Sequence, residues 1–192
     1  MNFHFLIILA YFLGSIPFGY LIAKVKGVDV KKEGSGSTGA TNVSRVLGLR
    51  YAILVGVLDI LKAGIPVFLA IKCLSLDYQI VIVALAPVLG HIFTPWLSFK
   101  GGKGIATTAP SLLAFLGGVP FLCLLFLWMV MLKLTKTMSL NNLILMFFVP
   151  FLLWYFKGGV EYFVLGVLFF LISLFAHREN VYRMYNKKEL KL

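Results

Sequence analysis

Apolar runs about as long as a bilayer-crossing helix follow one another along this chain with little between them, and no other feature constrains its fold as much. About 20 helical residues cross roughly 30 Å of hydrocarbon. Runs of that kind occupy 3–23, 51–71, 78–98, 139–156 and 160–177. Composition agrees: 60% of the 192 residues are hydrophobic, 13% are charged and the mean hydropathy is +0.96, which lies outside the range of soluble domains. The expected fold class is all-α, a polytopic integral membrane helix bundle. The opening MNFHFLIILAYFLGSIPFGYLIAK has neither a basic n-region nor a small-residue cleavage site. It reads as a retained first span and not as a removed signal peptide.

One segment is too long for a single span. Residues 105–135 are broken at Gly117-Gly118-Val119-Pro120, which gives arms at 105–116 and 119–135. The first arm would rise only about 18 Å and must be tilted or stop short of the far face. Charge decides how to count it. If the segment is a helical hairpin, fifteen basic residues fall on one side: Lys24, Lys26, Lys31, Lys32, Arg45, Arg50, Lys100, Lys103, Lys133, Lys136, Arg178, Arg183, Lys187, Lys188 and Lys191. Only Lys72 and Lys157 face the other side, with Lys62 inside a span. That bias meets the positive-inside rule with seven transmembrane helices, the N-terminus out and the C-terminus in. A single bent helix would destroy it.

Attraction to anionic headgroups explains part of the +11 net charge, but not the polar residues set between the cations. Three segments on the basic side carry such residues. In GSGSTGATNVSR, from Gly34 to Arg45, glycines 34, 36 and 39 let backbone N–H groups converge on an anion, and Ser35, Ser37, Thr38 and Thr41 add hydroxyls. Asn42 and Arg45 share a face if a helix begins near Thr41, where Arg45 can grip a phosphate bidentately. The competing reading is a flexible linker. GSGSTG also matches GxGxxG, but neither the preceding strand nor the ribose-binding carboxylate of a dinucleotide site accompanies it.

The second segment is GHIFTPWLSFKGGKGIATT, from Gly90 to Thr108. Lys100 and Lys103 flank Gly101 and Gly102, and Gly104 opens the next helix, so N-terminal amides lie beside an ammonium group and favour an oxyanion. His91 is either part of that site or a neutral imidazole bonded between helices. The third segment is FAHRENVYR, where His177, Arg178, Glu179 and Asn180 close the last span. It reads as a charged helix cap, or as a pair, His177 and Asn180, turned toward the same polar cluster. Asp59 and Lys62, at i and i+3 within the second span, read as an ion pair locking helices together, with a functional role as the alternative. Cys73 and Cys123 have no metal or disulfide spacing and read as plain buried thiols.

These three motifs, in this order in a multispanning chain of this length, resemble the bacterial acyl-phosphate:glycerol-3-phosphate acyltransferases of the PlsY family. The likeness covers essentially the whole chain. It implies one membrane-embedded acyltransferase domain over 1–192, in the bacterial cytoplasmic (inner) membrane with its active site facing the cytoplasm. The implied reaction transfers a fatty acyl group from acyl phosphate to the 1-hydroxyl of sn-glycerol 3-phosphate, giving lysophosphatidic acid and phosphate, the first acylation of phospholipid synthesis. Family members are most alike at positions matching Ser35, Gly36, Asn42, Arg45, Gly102, Lys103, His177 and Asn180. Ser37-Thr38 departs from the usual Asn and small residue, and leaves donors in place.

The motifs fit such a reaction by their own chemistry, since two phosphate-bearing substrates, one water-soluble and one lipid-tailed, need anion cradles at a membrane surface. The catalytic residues expected are Ser35, Arg45, Lys103, His177 and Asn180. Phosphate binding is expected from Gly34–Thr38, Thr41, Asn42, Arg45, Lys100 and Gly101–Gly104, with His91 and Glu179 as further possibilities. No His-x4-Asp and no GxSxG elbow occurs, so direct attack without an acyl-enzyme is expected, through positioning and preorganised donors. The proton acceptor is His177, with Glu179 as the lesser candidate, or a substrate phosphate oxygen. No cofactor, metal or nucleic acid is expected; the partners are the two substrates and membrane lipids. A carrier or channel for an organic phosphate anion is the alternative, although the chain has no convincing internal repeat.

Overall fold

The computed structural model describes residues 2–191. Its helices are α1 (Phe3–Ser15), α2 (Phe18–Val25), α3 (Ala40–Leu47), α4 (Leu49–Cys73), α5 (Asp77–Ile92), α6 (Ile105–Leu116), α7 (Gly118–Thr135), α8 (Met138–Lys157), α9 (Val160–Ala176) and α10 (Arg178–Tyr185). No strand occurs among the described residues. The all-helical class therefore stands, and three expected spans are not continuous helices over their whole length. Residues 3–23 form two helices, α1 and α2, because Pro17 has no N–H to donate and its ring excludes a continuous turn. Residues 78–98 end early: α5 stops at Ile92 and a short 3-10 turn follows at Pro95–Leu97. Residues 160–177 stop at Ala176, where α9 turns by 61° into α10 with His177 at the elbow.

The break expected in 105–135 falls at Gly117, whose φ of +84° ends α6 and starts α7. Among the described residues five helical segments have the length and apolarity to cross a membrane: Phe3–Val25, Leu49–Cys73, Asp77–Leu97, Gly118–Thr135 and Met138–Lys157. The bent pair α9–α10 makes six if counted as one span. The 12-residue α6 is too short by length alone, so the seven spans expected from charge exceed this count by that one helix. Many large apolar side chains point outward, Leu122, Phe126 and Met129 on α7 and Phe148 and Phe151 on α8 among them. Cys73 and Cys123, expected to be buried, are exposed as well, because apolar surroundings in the sequence mark a lipid-facing position as readily as a core one. Water would not tolerate so much apolar surface; acyl chains would.

The chain divides into two compact units, one ending at Pro110 and the other beginning at Ser111. In the first, α1 packs along α5, α4 lies against both, and α2 and α3 pack on α4. Close approach of α1 and α5 depends on glycine: a Cβ on Gly14 would strike the Pro87 backbone, and one on Gly90 the Tyr11 carbonyl. Ala23, Val30, Val43 and Val55 form a buried apolar knot that joins α2 and α3 to α4. In the second unit α8 packs on α9, with α7 against α8. There Gly166 meets the Pro150 backbone, and the Trp128 indole donates to Asn142 Oδ1 at 3.0 Å.

A consequence for the site follows from where helices stop. Lys62, midway along the 25-residue α4, donates to the Ile16 carbonyl just past the end of α1 (2.6 Å) and lies 3.0 Å from His91 Nδ1 near the end of α5. Of the helices packed on α4, α1 and α5 therefore both end near its midpoint. Such irregular backbone at depth is tolerated where protein covers it.

Candidate active site

The loop from Gly34 to Arg45 is built around one side chain. Asn42, in the first turn of α3 and only 1% exposed, accepts the Ser35 N–H on Oδ1 (2.7 Å). Its amide nitrogen lies 3.0 Å from the carbonyls of Val30 and Glu33 and 2.9 Å from that of Ser37, so two hydrogens serve three acceptors. Asn42, expected beside Arg45 on a phosphate, instead commits its polar atoms to holding the loop closed. Gly34 and Gly36 adopt φ of +57° and +68°, which a side chain resists, and a Cβ on Gly34 would collide with Asn42 Oδ1. The linker reading is excluded by these bonds. Ser37 Oγ accepts the Gly39 N–H at 3.3 Å, Thr38 is buried, and Thr41 and Arg45 are half-buried on α3.

The second loop folds back on the end of α5. Gly101 N–H donates to the Ile92 carbonyl (2.9 Å) and Gly102 N–H to that of His91 (3.1 Å). These two amides, expected to face an anion, are thus engaged inside the protein, and the glycines serve close packing instead. A Cβ on Gly102 would run into His91 Nε2, and one on Gly101 into the His91 carbonyl. Gly104, with φ +86°, starts α6; its carbonyl accepts both the Thr107 and the Thr108 hydroxyl at 2.9 Å. Lys103 is half-buried beside the first turn of α6, whose leading N–H groups have no acceptor within the helix. The segment just before the first loop touches the second, where the half-buried Lys31 reaches the Lys100 carbonyl with its ammonium at 3.4 Å.

Beneath the second loop lies a buried polar chain. Asp59 Oδ1 is 2.7 Å from Lys62 Nζ, and both side chains are at most 3% exposed. The expected ion pair is therefore present, but it does not end there: Lys62 also meets His91 Nδ1, which lies 3.7 Å from Asp59 Oδ1. His91 resolves to a buried link between α4 and the glycine loop.

In the second unit, His177 and Asn180 are 1% and 4% exposed, whereas Arg178 and Glu179 between them face outward. His177 Nδ1 is 2.8 Å from the Ser173 carbonyl, to which it donates, and that tautomer leaves Nε2 as the proton-accepting nitrogen. Asn180 Nδ2 donates to Glu189 Oε1 (2.6 Å), which also accepts the Ser139 hydroxyl (2.8 Å), while Arg183 pairs with Oε2 (2.9 Å). Partial burial pushes the Glu189 carboxyl up, but the bonds from Asn180, Ser139 and Arg183 outweigh it and hold the pKa below the ordinary value. Sequence reasoning missed Glu189 and Ser139: a carboxylate in KKEL and a serine fifty residues away carry no joint signal. It saw Asp59, Lys62 and His91 separately and missed their connection. No cluster of three or more acidic, Cys or His side chains suited to a metal ion occurs among the described residues.

Fold and side chains together define an all-helical protein of membrane-spanning apolarity that carries two glycine-shaped, cation-bearing loops and a buried His/Asn pair. The comparisons narrow this. Residues 4–187 match the family model described as glycerol-3-phosphate acyltransferase. The glycerol-3-phosphate acyltransferases of Thermosipho melanesiensis and Aquifex aeolicus are 37% and 39% identical to it; the alignments cover 100% and 96% of this chain and 93% and 96% of theirs. A second such enzyme of Thermotoga maritima is 42% identical over 187 residues, 96% of this chain and 94% of its own. Two crystal structures of PlsY, an integral membrane glycerol 3-phosphate acyltransferase, are similar at 36% identity, covering 99% of this chain and 95% of theirs. The glycerol 3-phosphate form has a TM-score of 0.92 and the lysophosphatidic acid form 0.89. The chain belongs to the PlsY family of glycerol-3-phosphate acyltransferases. The organic-phosphate carrier considered from sequence finds no support among these relatives.

Proposed function

We propose that the chain, acting as one domain, transfers an acyl group from acyl phosphate to the 1-hydroxyl of sn-glycerol 3-phosphate. The observation that carries the reading is that one unit holds two glycine-rich, cation-bearing loops, joined by the Lys31 ammonium on the Lys100 carbonyl, as suits a pair of phosphate-bearing substrates. The hydroxyl attacks the acyl carbonyl, the new ester C–O bond forms, and the bond from carbonyl carbon to phosphate oxygen breaks. Lysophosphatidic acid and phosphate result, with no acyl-enzyme, because the donor is already activated. Arg45 and Ser35 with the Asn42-tied backbone hold one phosphate. Lys103 with the first-turn amides of α6 holds the other and stabilises charge developing on the leaving group. His177 takes the hydroxyl proton on Nε2, and Asn180 orients the glycerol.

The same reading has α6 as the seventh, short crossing, the N-terminus outside and the loops on the cytoplasmic face of a bacterial inner membrane. The charge bias supports it. Phosphate release from palmitoyl phosphate by the detergent-solubilised protein tests the reaction. Release that requires glycerol 3-phosphate and falls at least 100-fold in Lys103→Ala and in Arg45→Ala is expected. Release independent of glycerol 3-phosphate would refute it. An unchanged rate near pH 7 in His177→Gln would move the proton to a substrate phosphate oxygen.

A further inference from the structure

We propose that Asp59, Lys62 and His91 form a positioning relay that sets the Gly101–Gly104 loop, and with it Lys103, from inside the membrane. The inference rests on the reading of that loop as a phosphate holder. Lys62 has three polar partners: Asp59 Oδ1, its ion-pair partner at 2.7 Å, the Ile16 carbonyl, which accepts from it at 2.6 Å, and His91 Nδ1 at 3.0 Å. Each comes from a different place in the fold: its own helix, the break between α1 and α2, and the end of α5. Because Nδ1 faces a donor, the imidazole proton sits on Nε2, the edge that lies against Gly102 where a side chain would otherwise stand. The His91 backbone holds the same loop, since its carbonyl accepts the Gly102 N–H. One residue thus fixes the glycine loop through both backbone and ring, and Lys62 fixes the ring.

The arrangement is expensive as mere packing. Removing two charges from water in the middle of a bilayer helix carries a large desolvation penalty before their attraction is counted. An apolar pair of similar volume would join α4 to α5 as well or better. What an apolar pair cannot do is specify the orientation of the His91 ring, and with it the height of Gly102 and the direction of Lys103.

The test compares Lys62→Met, the charge-free double variant Asp59→Asn/Lys62→Met, and Lys103→Ala, each purified in detergent, with KM measured separately for glycerol 3-phosphate and palmitoyl phosphate. The double variant is included because it leaves no buried charge without a counterion and remains foldable if the single variant does not. The expected result is a KM raised about tenfold for one substrate, the same one affected in Lys103→Ala, with the other KM within about twofold. That pattern persists in the double variant. Wild-type kinetics in the double variant would reduce the pair to packing and overturn the proposal, as would equal damage to both KM values and kcat. Unchanged KM values in Lys103→Ala, with turnover intact, would instead overturn the loop reading beneath it.

Discussion

At the scale of single residues, the side chains that matter most are those that hold others. Asn42 and Glu189 both work through several hydrogen bonds, and only Asn42 lay in a motif that drew attention to itself. Glu189 has a consequence for pH. Its folded-state pKa is depressed below the ordinary value of 4.5, so its bonds stabilise the folded tail while it is ionised, above the unfolded value. That stability is lost as pH falls from about 4.5 through the folded value. Thermal unfolding of Glu189→Gln should therefore show a lower Tm than wild type near neutrality, with the gap closing as the wild type is acidified. A gap that stays constant down to pH 3 would show that the charge is irrelevant. The motif residues of the site were legible because glycine, hydroxyl and cation in close succession have few other uses. Their division into builders and ligands was not, because whether an amide faces a ligand or a neighbouring carbonyl depends on the path of the surrounding chain.

At the scale of elements, glycine separates contacts that tolerate a side chain from those that do not. A Cβ on Gly64 would meet Pro110 at an ordinary 3.5 Å, whereas one on Gly166 would enter the Pro150 backbone between α8 and α9. Replacing a mid-helix glycine by alanine gains about 0.5–1 kcal/mol of backbone entropy and propensity. Overpacking against rigid backbone costs about 1–3 kcal/mol. Gly64→Ala should accordingly leave Tm unchanged or raise it slightly, and Gly166→Ala should lower it by several degrees; the reverse order would invalidate the α8–α9 contact. Helix breaks were legible where the chain carries its own punctuation, as at Gly117. At Pro17 the break passed unseen because the apolar run continues through it, and α10 because its residues are too polar to register as part of a span.

For the whole molecule, the testable quantity is direction across the bilayer. In the proposed orientation, with the N-terminus outside, α4 runs outward and ends at Cys73, which is exposed, while Cys123 lies within α7. In intact spheroplasts a membrane-impermeant maleimide should label the protein from outside, and Cys73→Ser should abolish that labelling. Cys123 should react only with a membrane-permeant reagent. Labelling of Cys73 only after the cells are opened would reverse the topology and place the loops on the outer face.

The sequence alone determined the apolar surroundings, the helical class and the motifs that carry the family likeness. Apolar runs of bilayer length leave helices as the stable form, glycine and proline mark most of their ends, and cations among glycines and hydroxyls announce an anion. These are local properties, set by a residue and its immediate neighbours. Only the tertiary structure decided that α1 and α5 stop level with the middle of α4 and that Lys62 therefore finds a carbonyl and an imidazole there. It likewise brought Glu189 to Asn180 and Ser139. Those partners are separated by 9 to 50 residues, and the requirement that buried polar groups find one another acts through space, so no spacing along the chain records it.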